Sequence, residues 1–506
     1  MASIKNLASQ TLWYGVSSIF ARFLYYLLTP YLTAKFSGTV EYGKMSLVFA
    51  LIPFLFTLIV FAFETAYFRF MQRPEYKIDV FDTLSTSLLL STLGIIGCTI
   101  FFRASIANFI GVPNHSEYIT LCAFIIGFDA LSALPFAKLR HENRPVRFAV
   151  IRITGILINI IAVYFFLTIC PAILKKNPNS ILRFIYNIHY GVAYVLIANA
   201  LASLFQFLAL SREWSGVNLH VNKRLWKEVM IYALPLTIAG FAGMINETFD
   251  RVMLQRWSPL KGDAATFEVG VYSACYKLSI LITLFVQAFR MGAEPFFFKH
   301  SSEENAPRIY ARVMKFFIIT ICAMFLFVSM YLDIWKYFIR DEKMWAGLKV
   351  VPILLLANMF LGIYINLSIW YRLTFKTTAG AYITLIGAAI TIAVNFIFIP
   401  YFSYMACAWA TFLCYGSMMV ISYIWGQKSY PVPYAWKKLL AYMVMVVIIY
   451  FIHEGVIAIW HNRTLNYTIA TLFLILYGLF IYRIERKEFL QFFSGLKFFR
   501  RSAVEN

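Results

Sequence analysis

Long apolar segments, each of about 20 residues, recur from one end of this chain to the other. At a rise of about 1.5 Å per residue, a helix of that length crosses the roughly 30 Å of hydrocarbon in a bilayer. Of the 506 residues, 61% are hydrophobic and only 14% are charged. Because no single water-soluble core can hide that much apolar surface, the sequence predicts an all-α integral membrane protein.

The apolar segments predict about fourteen membrane-spanning helices. Helices are favoured over barrel strands because the segments are about twice as long as a membrane strand and lack alternating polarity. No connection between them is long enough for a separate soluble domain. The predicted spans cover residues 10–34, 45–70, 82–102, 118–137, 148–170, 185–209, 229–254, 268–293, 311–332, 347–371, 377–399, 402–425, 437–453 and 464–482.

The net charge of +21 comes from Lys and Arg residues that lie between the apolar segments. A nucleic-acid-binding protein would gather them on one face or along a tail, so no nucleic acid is predicted as a partner. Lys and Arg are retained on the cytoplasmic side of a membrane. The basic connections 138–147, 212–227 and 299–315 and the basic C-terminal tail all fall on one side if the N-terminus is inside. The sequence therefore predicts that both termini lie in the cytoplasm.

Motifs of soluble enzymes are absent from the sequence. It contains neither a GxxxxGK[ST] phosphate loop nor an HExxH zinc motif. The seven cysteines lie in or beside apolar segments and lack the paired spacing of a metal site or a disulfide framework. We therefore predict no metal and no cofactor, and we expect a protein that is not an enzyme.

A weak internal repeat divides the chain. Three pairs of positions are separated by nearly the same number of residues: Glu41–Gly43 with Glu268–Gly270, Glu64 with Glu294, and Asn159 with Asn395. Since six helices per copy is an even number, both copies run in the same direction. This predicts two six-helix lobes, residues 1–212 and 213–428, related by a parallel pseudo-two-fold axis. Residues 429–506 then form two extra helices and a basic tail.

Charged side chains inside the spans are the candidate functional residues, because charge at membrane depth is costly and normally faces a wet interior. A cation in a low-dielectric cavity attracts an anionic head group more strongly than in water, and Arg can bind phosphate in a bidentate fork. The candidate substrate-binding residues are Arg22, Arg251, Lys277 and Arg290. The candidate acidic residues, for coupling or for the cavity wall, are Glu64, Asp129, Glu247, Asp250 and Glu294.

Structural ion pairs are the alternative interpretation for Arg290 with Glu294 and for Asp250 with Arg251. Glu64 lies close to the predicted membrane boundary, where a side chain can extend to the head groups. Arg22 and Lys277 have no opposite charge within one turn of their own helices, which favours a position on a cavity wall. The i, i+3, i+4 spacing of Glu247, Asp250 and Arg251 predicts that these three share one helical face.

Short motifs at corresponding places in both halves suggest a family. With these motifs and its six-plus-six-plus-two spans, the chain resembles the polysaccharide branch of the multidrug/oligosaccharidyl-lipid/polysaccharide exporter superfamily, which includes the O-antigen flippases. The resemblance extends over roughly residues 5–425. Its motifs are Leu28–Pro30, Tyr42-Gly43, Glu64–Arg69, Asp250-Arg251, Val269–Ser273, Tyr276-Lys277, Asn395 and Ile399-Pro400.

The resemblance implies two lobes around a central cavity that opens alternately to each side of the bacterial plasma membrane. It implies a substrate made of polyprenyl pyrophosphate carrying a few sugars, turned over to the periplasmic leaflet for surface polysaccharide synthesis. Arg22, Arg251, Lys277 and Arg290 would receive the pyrophosphate, and groups such as Asp129 or Glu64 would couple transport to an ion gradient or the membrane potential. The implied partners are this lipid-linked glycan, membrane lipids and a polysaccharide polymerase.

Three alternatives stay open at this point. A cell-wall lipid precursor flippase and a cation-coupled multidrug exporter are the close ones, although a drug exporter of this superfamily would more often have twelve spans. A membrane-embedded polysaccharide polymerase or ligase would also be basic and cross the membrane many times. Such an enzyme would be expected to carry its reactive residues in a long outward connection, and the sequence has none.

Overall fold

The computed structural model describes residue 20 and residues 22–187, 190–301, 303–374, 376–460 and 462–502. Within these ranges the chain is almost entirely helical, and thirteen helical segments are long and apolar enough to cross a membrane. The prediction of an all-α, multi-pass membrane protein is therefore confirmed. The predicted first span, residues 10–34, lies largely outside the described residues; residues 22–35 are helical.

The long helices are numbered in chain order, beginning with α1 for residues 22–35, the described part of the predicted first span; α2 to α14 are the thirteen spanning segments. The others are α2 (Glu41–Phe70), α3 (Asp79–Phe101), α4 (Ser116–His141), α5 (Pro145–Lys176), α6 (Val192–Ala209), α7 (Lys223–Thr248), α8 (Asp263–Lys299), α9 (Ala306–Ser329), α10 (Glu342–Leu373), α11 (Thr377–Phe402), α12 (Tyr404–Ser429), α13 (Trp436–Ile459) and α14 (Arg463–Ser502). Shorter helices in the connections are Arg103–Ile110, Leu182–Ile185, Ser211–Trp214, Asp250–Trp257, Leu332–Trp335 and Lys336–Phe338.

Three spanning helices are interrupted. The segment α2 consists of Glu41–Val60 and Phe63–Phe70, and α5 passes through a π-helical turn at Phe165–Ile169. The segment α10 begins as a 3-10 helix at Glu342–Val350 before Val351–Leu367 and Ile369–Leu373.

The break in α2 changes the direction of its last two turns. Phe61 and Ala62 have φ values of 46° and 53°, in the left-handed region that residues with a side chain rarely adopt. Pro53, earlier in the helix, cannot donate a backbone hydrogen bond. The last turns begin again at Phe63, and they place the Glu64 carboxylate in an ion pair with Arg140 near the end of α4.

The chain forms two compact units. The first consists of Met1–Lys299 and Phe338–Tyr430 and contains α1–α8 and α10–α12, and the second consists of His300–Tyr337 and Pro431–Asn506 and contains α9, α13 and α14. This division follows contacts between helices, whereas the predicted boundaries after residues 212 and 428 follow the repeat. Those boundaries stay a prediction.

A buried carboxylate joins the three helices of the second unit. Glu485 of α14 is 3% exposed, and it accepts hydrogen bonds from Lys315 of α9 at 2.8 Å and from the Tyr442 hydroxyl of α13 at 2.7 Å. Lys438, also on α13, lies 2.6 Å from the same carboxylate. A buried charge is tolerated only with such partners, so this cluster fixes one end of α9 against α13 and α14.

In the first unit, α2 and α8 cross closely at the predicted repeat. A Cβ atom on Gly270 would lie 3.2 Å from the backbone nitrogen of Gly43. A Cβ atom on Gly43 would lie 1.9 Å from the carbonyl oxygen of Thr266. Small residues allow helix backbones to approach in this way. The close contact between the two halves of the chain is therefore made by glycines at corresponding positions of the repeat.

The glutamates two residues before these glycines make equivalent contacts. Glu41 accepts a hydrogen bond from the backbone of Val192, where α6 begins, and Glu268 accepts one from the hydroxyl of Ser403, just before α12. Each glutamate thus binds the start of the sixth helix of its own predicted lobe. These contacts support the repeat that the sequence predicts.

Two further hydrogen bonds close the same end of the first unit. In the connection from α1 to α2, the backbone of Gly38 donates to the Asp341 carboxylate at 2.8 Å. The backbone of Arg340 donates to the Thr33 hydroxyl at 3.1 Å. Together with the glycine contact, these bonds define what we call the closed end.

Replacing Gly43 with Ala is expected to destabilise the protein, because the added methyl group would overlap the Thr266 carbonyl. Overpacking of this kind typically costs about 1–3 kcal/mol. The measurement is the apparent unfolding temperature of the purified protein in detergent. Gly94→Ala is the matched control, since nothing lies within 4 Å of its added Cβ, and it should leave the temperature unchanged or slightly raised. Equal temperatures for native protein and Gly43→Ala would contradict the close crossing.

Candidate functional site

Two adjoining cavities lie among the helices of the first unit. The large compartment has a volume of about 1000 Å³ and is lined by residues of α1, α4, α7, α8, α10, α11 and α12. The small compartment has a volume of about 410 Å³ and is lined by α1, α2, α5, α6, α7, α8 and the short helix after α7. Tyr25 and Lys277 line both, so the compartments meet at these side chains. Both halves of the repeat contribute to each compartment.

Arg22 and Lys277 place positive charge at and near this junction. Arg22, in the wall of the large compartment, donates a hydrogen bond to the side chain of Gln287. In the described part of the chain Arg22 has no ion pair, and Lys277 has neither an ion pair nor a hydrogen bond. The acidic residue Glu247 lines the same compartment but forms no ion pair with Arg22. Both cations are therefore available to an anionic ligand.

Arg251 also faces a cavity, but it is paired. It lines the small compartment, lies 3.2 Å from the Asp250 carboxylate and donates to the backbone carbonyl of Glu247 at 3.0 Å. Its guanidinium also lies 4.8 Å from the ring centre of Tyr276. The alternative interpretation of Asp250 with Arg251 as an ion pair thus describes the observed geometry.

Glu247, Asp250 and Arg251, which the spacing predicts on one helical face, lie on both sides of a helix break. The helix α7 ends at Thr248 and a new helix begins at Asp250, so the regular i, i+3, i+4 geometry is interrupted. Asp250 is 2% exposed and accepts a hydrogen bond from the Tyr272 hydroxyl at 2.6 Å. Asp250 lines neither compartment; it neutralises Arg251, which does line one.

Arg290 and Glu294 lie at the end of the large compartment away from the small one. Their side chains are 3.4 Å apart, and Glu294 also pairs with Arg372 at the end of α10. The sequence allows two interpretations of Arg290 and Glu294, an ion pair and a position on the cavity wall, and both describe the observed geometry. Two arginines share one carboxylate, which leaves this end with one excess positive charge.

Glu64 and Asp129 do not line either compartment. The break in α2 directs Glu64 towards Arg140, and it is Arg140 that lines the large compartment. Asp129 of α4 lies close to Ser203 of α6. The expectation of a cavity position is corrected for both residues, since neither lines a compartment and Glu64 is held by Arg140. Their role in coupling stays a prediction.

Sequence reasoning missed Arg140 and Arg372, which lie one to three residues beyond the predicted ends of their spans. The internal repeat is the sequence signal that could have identified these two arginines. Arg140 and Arg372 are separated by nearly the same number of residues as Glu64 and Glu294, their ion-pair partners. The two ion pairs occupy equivalent places, at the ends of the second and fourth helices of each predicted lobe.

A family model described as "polysaccharide biosynthesis protein" matches residues 7–301, which is more than half of the chain. The chain belongs to this family. The predicted resemblance to the polysaccharide branch of the exporter superfamily is therefore confirmed. No curated protein sequence matches the chain.

Several solved structures share the fold of this chain. A structure titled "Lipid II flippase MurJ, inward closed conformation" has a TM-score of 0.72 at 16% identity, and the match covers 93% of this chain and 98% of that one. Inward-facing and outward-facing structures of a multidrug resistance MATE family transporter each give a TM-score of 0.57 at 12% identity. These two matches cover 82% and 86% of this chain and 95% and 96% of the transporter chains. At these identities the likeness shows the transporter fold alone.

Replacing Asp250 with Ala is expected to destabilise the protein strongly, because Arg251 would be left buried without a neutralising partner. Breaking a buried ion pair typically costs about 3–5 kcal/mol. The measurements are the amount of protein in the membrane and the apparent unfolding temperature. Glu294→Ala is the control, since its ion pairs are more exposed and worth about 0–1 kcal/mol. Similar losses for both variants would contradict a special structural role for Asp250.

Proposed function

We propose that this protein is a flippase that moves polyprenyl-pyrophosphate-linked oligosaccharides across the bacterial plasma membrane for surface polysaccharide synthesis. The observation that carries the proposal is the cavity wall formed by Arg22 and Lys277, neither of which has a carboxylate partner in the described chain. Unpaired cations at membrane depth are costly unless they face water or an anionic ligand. Because their attraction for an anion is stronger in a low-dielectric site than in water, they suit a pyrophosphate.

The two ends of the cavity support alternating access. Arg140, Arg290 and Glu294 lie where the predicted topology puts the cytoplasmic ends of their helices. Tyr42 lines the small compartment and is the residue before Gly43, so this compartment lies next to the closed end. In the proposed cycle the substrate enters the large compartment from the cytoplasmic leaflet. The contact between Gly43 and Gly270 then separates to release it on the other side.

Membership of a polysaccharide biosynthesis family supports a glycan lipid as the substrate. The fold shared with a lipid II flippase keeps a cell-wall lipid precursor as a second candidate. Both substrates carry an anionic head, and the same cavity charges would serve both. A cation-coupled exporter of cationic drugs is disfavoured, because Arg22 and Lys277 would repel such a drug.

A transporter rather than an enzyme also fits the connections between helices. The longest connection between spanning helices of the described chain is residues 177–191, which is too short for a catalytic domain. In this proposal both termini lie in the cytoplasm. A polysaccharide polymerase on the periplasmic side would receive the translocated units.

Depletion of the protein from cells that make the lipid-linked glycan tests this function. Radiolabelled lipid-linked sugar is expected to accumulate on the cytoplasmic face, out of reach of a membrane-impermeant probe supplied to the periplasm. Accumulation of labelled cell-wall precursor instead would favour the second candidate. Translocated but unpolymerised units would indicate a polymerase and contradict the proposal.

Arg22→Ala and Lys277→Ala are each expected to abolish complementation of such cells while membrane levels stay normal, because each removes a charge that attracts the pyrophosphate. Arg212→Ala is the matched control, since Arg212 is exposed in the connection between α6 and α7. Complementation by either cavity variant would remove that residue from the proposed site. Loss of complementation in the control would mean that the working surface lies elsewhere.

A further inference from the structure

The small compartment contains neutral polar groups that the protein itself does not satisfy. Asn159 of α5 is 2% exposed, Ser273 of α8 is 4% exposed, and Asn199 of α6 is partly buried. All three line the compartment, and their side chains have no hydrogen-bond partner in the described part of the chain. A buried amide or hydroxyl without a partner costs free energy, so these groups are expected to face water or a ligand.

The charges around the small compartment exclude a cationic ligand. Arg251 and Lys277 line it, and no described Asp or Glu side chain does. Because Arg251 is neutralised by Asp250 and Lys277 is not paired in the described chain, the net positive charge would repel a metal ion or an organic cation. Asparagine amides and hydroxyls offer both donors and acceptors, which match the hydroxyl groups of a neutral sugar.

Because Lys277 lies at the junction between the compartments, a phosphate bound there would be next to these polar groups. Lys277 lines both compartments, so a phosphate bound to its ammonium group would lie at the entrance of the small one. A group attached to that phosphate can then occupy the small compartment. Its volume of about 410 Å³ lies within the range of about 300–1,000 Å³ that is typical of small-molecule sites.

We infer that the small compartment binds the sugar residue joined directly to the pyrophosphate, through hydrogen bonds to Asn159, Asn199 and Ser273. This inference rests on the proposed function and adds to it a separate site for the first sugar. The cations hold the phosphate, and the neutral groups distinguish a glycosylated lipid from the bare carrier lipid. The flippase would thereby favour lipid that already carries a glycan.

The repeat supplies an internal comparison for this site. Asn395 is the repeat partner of Asn159, yet it is fully buried, lines neither compartment and donates to the sulfur of Met253 at 3.7 Å. Equivalent asparagines thus have different surroundings in the two halves. The sugar site belongs to the first half of the repeat together with α8.

The test measures lipid binding to the full-length protein in nanodiscs. The probes are undecaprenyl pyrophosphate and the same lipid carrying one hexose or one N-acetylhexosamine. Asn159→Ala, Asn199→Ala and Ser273→Ala are each expected to weaken binding of a sugar-bearing lipid about three-fold to ten-fold. Their affinity for the bare lipid should be unchanged. Asn199, being the least buried of the three, provides the variant with the smallest risk to folding.

Two controls separate this inference from the proposed function. Arg22→Ala should weaken binding of all the lipids, and Asn395→Ala should change none of the affinities. If no lipid binds the native protein, the proposed function and the sugar site both fail. If the native protein binds bare and sugar-bearing lipids equally, or if the three variants weaken both classes alike, the sugar site is overturned while the flippase stands.

Discussion

The cost of placing charge inside a membrane is the constraint on which this structure depends. The protein meets that cost in two ways. Glu485 is a buried charge neutralised by lysines of neighbouring helices, which it holds together. Asp250 is paired with Arg251 of its own helix and is joined to α8 by the Tyr272 hydroxyl. Arg22 and Lys277 have no such neutralisation in the described chain. In the proposed function, these unpaired charges are satisfied by the anionic head group that enters the cavity.

The apolar segments were enough to predict the fold class, because the bilayer thickness sets helix length whatever the tertiary packing. Whether a given charge is paired depends on helices far away in the sequence. Asp250 could not be separated from the cavity residues until Tyr272 and the helix break at Phe249 were known. Glu64 was misplaced for a similar reason, since the left-handed residues Phe61 and Ala62 that redirect α2 are types that give no turn signal.

The repeat contained more information than three weak matches suggested. Corresponding glycines meet at Gly43 and Gly270, and the glutamates before them bind the starts of corresponding helices. Two further equivalent contacts are the ion pairs Glu64 with Arg140 and Glu294 with Arg372. The two halves therefore share residues that join helices at their ends. Both lobes need the same packing at these places.

The two halves of the repeat also differ at some positions, and these differences make the cavity asymmetric. The cavity lies between two similar lobes, but its unpaired groups are not distributed evenly: Asn159 faces the small compartment, whereas Asn395 is buried against Met253. A symmetric cavity would bind a lipid head equally in two orientations. In the proposed function, an asymmetric cavity binds it in a single orientation, with the phosphate near Lys277. If release requires Gly43 and Gly270 to separate, as proposed, this asymmetry makes the head group meet the closed end in the same way in every cycle.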